Sequence, residues 1–253
     1  MKTRSVWLAW FGTLALMLGM LFQGDAARAN SNCGDKLIGG SMPAPARGTG
    51  YKLDLLINDD CSVAMSSPQA MTDQEVDSAN RDNVSSGRAA AERRQRLARI
   101  GSTRQRLDPD YHMDTHLWDC CNTLLSHLVT DLNWTDDGST VTGWNTGGYT
   151  GEHPEFGTCG AGWQLANSSI VQYSGGTGQS WITIKSHAEF SYLGIFDCSG
   201  TTYYNTFEHY ITGYGSGSSA CNYTYNLRNT FRGWHLQVQC YNPTITLVDI
   251  PYN

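Results

Sequence analysis

At 253 residues, with 8 cysteines and a formal net charge of -6, the chain is long enough to bury a full core without depending on staples. The charge is unevenly spread. From Asp108 onward only Lys185, Arg228 and Arg232 are basic against 13 acids, which argues against nucleic acid as a partner of that region.

Residues 1–29 have the build of a secretory signal: Lys2 and Arg4, an apolar run from Val6 to Phe22, and a small-x-small site at Ala27-Arg28-Ala29. Cleavage there predicts a mature chain starting at Asn30 with no membrane span. The competing reading is an uncleaved anchor, since the run approaches the about 17 to 25 residues that cross a bilayer. All eight cysteines follow the cleavage point, an even number that suits disulfides in an exported chain. Order along the chain favours Cys33 with Cys61 and Cys221 with Cys240. Cys120 and Cys121 are then left to reach Cys159 and Cys198.

Residues 30–106 read as an N-terminal segment: a small strand at Lys52 to Asn58, a polar linker from Ser66 to Ser86, and an Arg-rich helix from Arg88 to Arg99. The run Arg93-Arg94-Gln95-Arg96 would be open to a basic-specific protease, which makes 30–106 a candidate propeptide. The alternatives are a solvated helix lying against the acidic domain and a basic face for anionic surfaces.

Residues 107–253 form the β-rich domain. Leu117, Cys121, Leu124, Leu128 and Leu132 recur at helical spacing and predict one amphipathic helix over 107–132, packed against the sheet. Beyond Asn133, alternating or aromatic runs appear at Thr140–Asn145, Ser169–Tyr173, Trp181–Lys185, His187–Asp197, Thr202–Gly213 and Thr244–Ile250, separated by Gly/Ser/Asp turn clusters. Asn222 to Cys240 reads as a β-hairpin with Cys221, Tyr223, Tyr225 and Leu227 on one face, opposite Cys240, Val238, Leu236 and Trp234. That register predicts a cross-strand Cys221–Cys240 disulfide. The fold class expected is mainly β, an antiparallel sandwich or barrel with one packed amphipathic helix, disulfide-bonded, after an N-terminal helical or irregular segment.

Three constellations could carry chemistry. His112 and His116, four apart on a helical turn with Asp119 nearby, could share zinc; calcium is the other cation considered, although the Glu of a metalloprotease motif is missing. Glu152, Glu189 and Glu208 each lie near a histidine and are the carboxylates for a hydrolase. His209, by contrast, falls on the buried side of its strand and reads as a hydrogen-bonded core residue. Finally, Glu208, Tyr210, Thr224, Asn226, His235 and Gln237 come together on one outward face if the Thr202 strand pairs with the hairpin. Carboxylate, amides, hydroxyls and a ring suit sugar hydroxyls and sugar ring faces. Trp134, Trp144, Tyr149 and Trp163 could add an aromatic platform.

There is no G-x-S-x-G elbow, phosphate loop, dinucleotide fingerprint or paired-cysteine zinc spacing. The reading is an exported, secreted or cell-surface binding or structural domain without catalysis or cofactor, with carbohydrate or a cell-surface polymer as the candidate ligand. A secreted hydrolase, metal-dependent or carboxylate-based, is the first alternative, and a self-assembling surface subunit the second.

Overall fold

The computed structural model describes residues 32–82, 110–152, 162–193 and 201–243. The signal segment, the Arg88–Arg99 helix, Cys159, Cys198 and the Thr244–Ile250 strand lie outside them. The described chain is antiparallel β with one helix, α1 (residues 73–82). Its strands are β1 (Asn32–Met42), β2 (Thr49–Ile57), β3 (Val63–Met65), β4 (Gln69–Ala70), β5 (Asp110–Trp118), β6 (Leu124–Asp136), β7 (Val141–Glu152), β8 (Trp163–Gly175), β9 (Trp181–Leu193), β10 (Thr202–Tyr214), β11 (Ser219–Phe231) and β12 (His235–Asn242). None of the described helical sequence is long and apolar enough to cross a membrane.

Two sheets enclose one core. Sheet A runs β1-β11-β10-β9-β8, and sheet B runs β3-β2-β12-β5-β6-β7 with β4 also on β2. Strict alternation sets the faces. In β10 and β11, Phe207, His209, Ile211, Cys221, Tyr223, Tyr225 and Leu227 point inward and are buried. From sheet B they meet Met113, Leu117, Leu128, Leu132, Trp134, Leu236 and Val238.

The 107–132 region is not a helix. It is the β5–β6 hairpin, with Leu117 opposite Ser126, Thr115 opposite Leu128 and Tyr111 opposite Leu132. The leucines at 128 and 132 misled because a spacing of four fits a helix face and also, as an even number, one face of a strand, while Leu124 lies beyond a register shift and is only half-buried. The residues between decide it, for Thr130 and Trp134 are as buried as the leucines they alternate with. Asp119 closes the hairpin by accepting hydrogen bonds from the backbone N–H of Cys121 (2.8 Å) and Thr123 (2.7 Å), and Asn122 takes the left-handed conformation at φ 62°.

The helix that does exist falls in the stretch expected to be linker. Thr72 and Glu75 form a reciprocal capping box: Thr72 N–H donates to Glu75 Oε2 (2.8 Å), and Glu75 N–H donates to Thr72 Oγ1 (3.3 Å). Met71 before the cap and Val76 inside it pack on Tyr241, stapling α1 to the outward face of sheet B.

The segment Asn222–Cys240 also departs from the hairpin reading. β11 is paired on both edges, by β10 and β1, and β12 on both edges, by β2 and β5. The chain therefore turns a corner after Phe231 and crosses from sheet A to sheet B, with Gly233 at φ 76°. Strands facing each other across a sandwich need the same alternation as neighbours in a hairpin, so the pattern was right and the pairing was not. The Cys221–Cys240 disulfide forms, with Cα atoms 6.5 Å apart, but it ties the two sheets together instead of two adjacent strands. Cys33–Cys61 also forms as expected, with Cα atoms 5.1 Å apart. Cys120 and Cys121 are exposed free thiols at the β5–β6 turn, their sulfurs 3.4 Å apart, and Cys159 and Cys198, their expected partners, lie outside the described residues.

Residues 32–70 contribute to both sheets. β1 pairs with β11 from Asn32↔Phe231 to Met42↔Cys221, and β2 pairs with β12 from Leu56↔His235 to Thr49↔Asn242.

Candidate functional site

The outward faces of the two sheets carry different chemistry. On sheet A, β10 sets Glu208 opposite His187 of β9 and Thr224 of β11, and Tyr210 opposite Lys185 and Asn222. The Glu208 carboxylate is thereby surrounded by donors. Lys185 Nζ lies 2.7 Å from Oε1, His187 Nδ1 lies 3.2 Å from the same oxygen, and the Tyr210 hydroxyl donates to Oε2 at 2.9 Å. Burial alone would raise the Glu208 pKa, but the hydrogen bonds from Lys185, Tyr210 and His187 outweigh it and hold the carboxyl below its ordinary value. Lys185 is held up in turn, first by its hydrogen bond to Glu208. A carboxylate fixed in its ionised form accepts hydrogen bonds but is poorly suited to donate a proton.

Aromatic rings flank this cluster. Tyr173 meets the Tyr210 ring edge-on with centres 5.4 Å apart, and Lys185 Nζ lies 5.5 Å from the centre of that ring. Tyr173 is 61% exposed and Tyr204 48%, while Trp181 and Tyr214, paired across β9 and β10, are also exposed. A face with this much exposed ring surface beside an ordered ion pair differs from an ordinary wet sheet face.

On sheet B, α1 stands off the strands and leaves a cavity of about 390 Å³. Asp114 and His116 of β5, His127 of β6, Tyr149 of β7, and Gln237 and Gln239 of β12 line it. Asp114 is only 1% exposed, and its Oδ2 accepts the Tyr241 hydroxyl at 3.2 Å. Burial, joined by the neighbouring His127, pushes the His116 pKa down to about 4; burial pushes that of His127 to about 4. Both rings are therefore neutral at pH 7. Across the mouth of the cavity Lys52 pairs with Glu75. That ammonium first, then the Thr72 hydrogen bonds, lower the Glu75 carboxyl to about 2.

The geometry divides the sequence-derived ligand set. Glu208, Tyr210, Thr224 and Asn226 share the outward face of sheet A as expected. His235 and Gln237 do not join them, because β12 belongs to sheet B. There His235 stacks on Trp118 with ring centres 5.1 Å apart, and Gln237 donates to Asp54 at 3.0 Å. The proposed aromatic platform divides likewise, with Trp134 and Trp163 fully buried in the core and Tyr149 lining the cavity.

His112, His116 and Asp119 do not form a metal site. On an extended strand, residues four apart are separated by about 13 Å, and Asp119 points to the opposite face, where it closes the turn. Among the described residues no group of three or more His, Cys, Asp and Glu side chains is arranged to hold a metal. His209 is a core residue: its Nε2 lies 2.7 Å from Thr115 Oγ1 and its Nδ1 2.9 Å from Thr130 Oγ1. Lys185 and Tyr173 beside Glu208, and His127 in the cavity, were not singled out from the sequence; Asp114 was noted only as an acid near His112 and His116. Reading 107–132 as two strands would have set His127 opposite His116 and supplied the missing signal.

No protein-family model matches the chain, and no curated protein matches it in sequence. The functional reading rests on the site alone.

Proposed function

We propose that this chain is an exported binding domain without catalytic activity, engaging carbohydrate of a secreted or cell-surface polymer through the outward face of sheet A. The observation that carries the reading is the Glu208 carboxylate, ordered by Lys185, His187 and Tyr210 beside the exposed ring of Tyr173. A fixed acceptor accepts sugar hydroxyls without first losing side-chain freedom, and a ring face covers the C–H face of a pyranose. Thr224, Asn226 and Asn222 extend the same face with short polar groups. Export is supported by the signal-like residues 1–29 and by two disulfides.

The test is retention on immobilised polysaccharides followed by titration with soluble fragments of whichever polymer is bound. Tyr173→Ala and Glu208→Gln each weaken binding by about tenfold, a loss of about 1.4 kcal/mol, while His235→Ala on the opposite sheet leaves it unchanged. Equal retention by all three variants rejects this face as the site. Hydrolysis of the bound polymer, lost in Glu208→Gln, would instead support the carboxylate-based hydrolase.

A further inference from the structure

We propose that His116 and His127 form a two-histidine site for a divalent first-row transition ion, of which zinc and copper are the type, with its remaining coordination positions facing the cavity under α1. The pair is made by strand register. His116 and His127 are direct partners across β5 and β6, and their rings stand 5.6 Å apart centre to centre with planes inclined at 33°. Imidazole nitrogens bind zinc at about 2.0–2.1 Å, so two rings sharing one tetrahedral ion bring their nitrogens within about 3.5 Å of each other. The nitrogen-bearing edge of the His127 ring lies over Gly151, so ligation requires that ring to turn toward His116.

Three further observations support the site. The Nδ1 atoms of both rings are buried without a hydrogen-bond partner, which is unusual for buried polar atoms and is relieved by a bound ion or its water. Both rings are also held in place. His116 stacks on Trp118 with centres 5.3 Å apart, and His127 meets Tyr149 edge-on at 5.4 Å. The His127 ring lies over Gly151, where any Cβ would run into it, so the position opposite is kept clear. Last, oxygen donors stand close by in register: Gln237 is the β12 partner of His116, and Asp114 is two residues along the same face of β5.

Two imidazoles without a third protein ligand make an open site, unlike a closed structural zinc site with four protein ligands. The nitrogen donors select against calcium and magnesium, which take oxygen. The inference concerns the face opposite the carbohydrate reading and does not depend on it.

The experiment is calorimetric titration of the chelator-stripped full chain with zinc chloride at neutral pH, with calcium chloride as a parallel arm. Expected are about one zinc per chain and no calcium response. His116→Ala and His127→Gln each weaken zinc binding by about tenfold or more, while His112→Ala and His235→Ala, histidines on the same sheet face, do not. To separate ligation from misfolding, imidazole nitrogen resonances of the unmodified protein are followed during titration, and those of His116 and His127 alone move. Absent zinc binding, binding that survives His127→Gln, or binding equally weakened by His112→Ala overturns the proposal.

Discussion

His209 shows how much a single enclosed side chain can govern. It is fully buried between the sheets, and its two ring nitrogens face Thr115 and Thr130 of sheet B. Thr115 also contacts the Tyr225 hydroxyl at 2.5 Å, and Thr130 contacts Ser186 at 2.5 Å, so five polar side chains cross a core that is otherwise apolar. Burial, with a smaller contribution from His116, pushes the His209 pKa from 6.5 down to about 3. The sign follows from linkage. As pH falls through 6.5 the unfolded chain takes up a proton that the folded chain refuses, so the His209 contribution is complete above pH 6.5 and is lost progressively toward about 3. Urea midpoints measured from pH 7 to pH 4 fall, and in His209→Leu they fall less steeply. The variant also loses about 2 kcal/mol at pH 7, because Thr115 and Thr130 each lose one hydrogen bond but keep another. An unchanged pH slope in the variant would show that other groups dominate the titration.

α1 is held by a few contacts that substitution can reach one at a time. Thr72→Ala removes the acceptor for Glu75 N–H and one anchor of the Glu75 carboxylate, at a cost of about 1 kcal/mol to the helix start. Because α1 roofs the cavity, its amides exchange faster in that variant while those of the sheet core keep their rates. Uniform acceleration across the protein would mean that helix and sheet open as one unit. The cap was legible in advance, since Thr72-Asp73-Gln74-Glu75 carries the T-x-x-E signature between Met71 and Val76. The polar composition around it drew attention away. Among the described residues beyond Asn133, the strands around Thr140–Asn145, Ser169–Tyr173 and Thr202–Gly213 were legible for the same kind of local reason, because Asp137, Gly175, Gly178 and Gly217 mark turns through their own chemistry, whereas the runs at Trp181–Lys185 and from His187 are one strand, β9. What local pattern cannot supply is the partner of a strand. β11 and β12 alternate as a hairpin would, and only the competing edges of β1, β2, β5 and β10 decide that they lie in different sheets. The ligand set split at that point, and His127 went unnoticed because its strand had been taken for a helix.

Each sheet is made from both ends of the chain. β1 covers the free edge of β11 and β2 covers that of β12, so a protein restricted to residues 107–253 leaves two central strands with open edges. Such a truncation is expected to aggregate or to lack fixed tertiary packing, which size-exclusion chromatography and near-ultraviolet circular dichroism read directly. A monodisperse, cooperatively unfolding 107–253 would show strands 32–57 to be dispensable and restore the propeptide. Ordered polymers would favour the self-assembling subunit.

The same interleaving dictates when the protein can be finished. Asn32 and Asn229, joined through their side chains, are 197 residues apart in sequence. Synthesis delivers β1 and β2 well before their partners β11 and β12, so neither sheet closes until those late strands have emerged. Cys33 and Cys61, only 28 residues apart, can bond long before that and keep the two early strands within reach of each other. Completion then falls to the final corner, where β12 slots between β2 and β5 and Cys240 meets Cys221. A nascent chain of this design stays open until β12 is seated, and gains its rigidity only then.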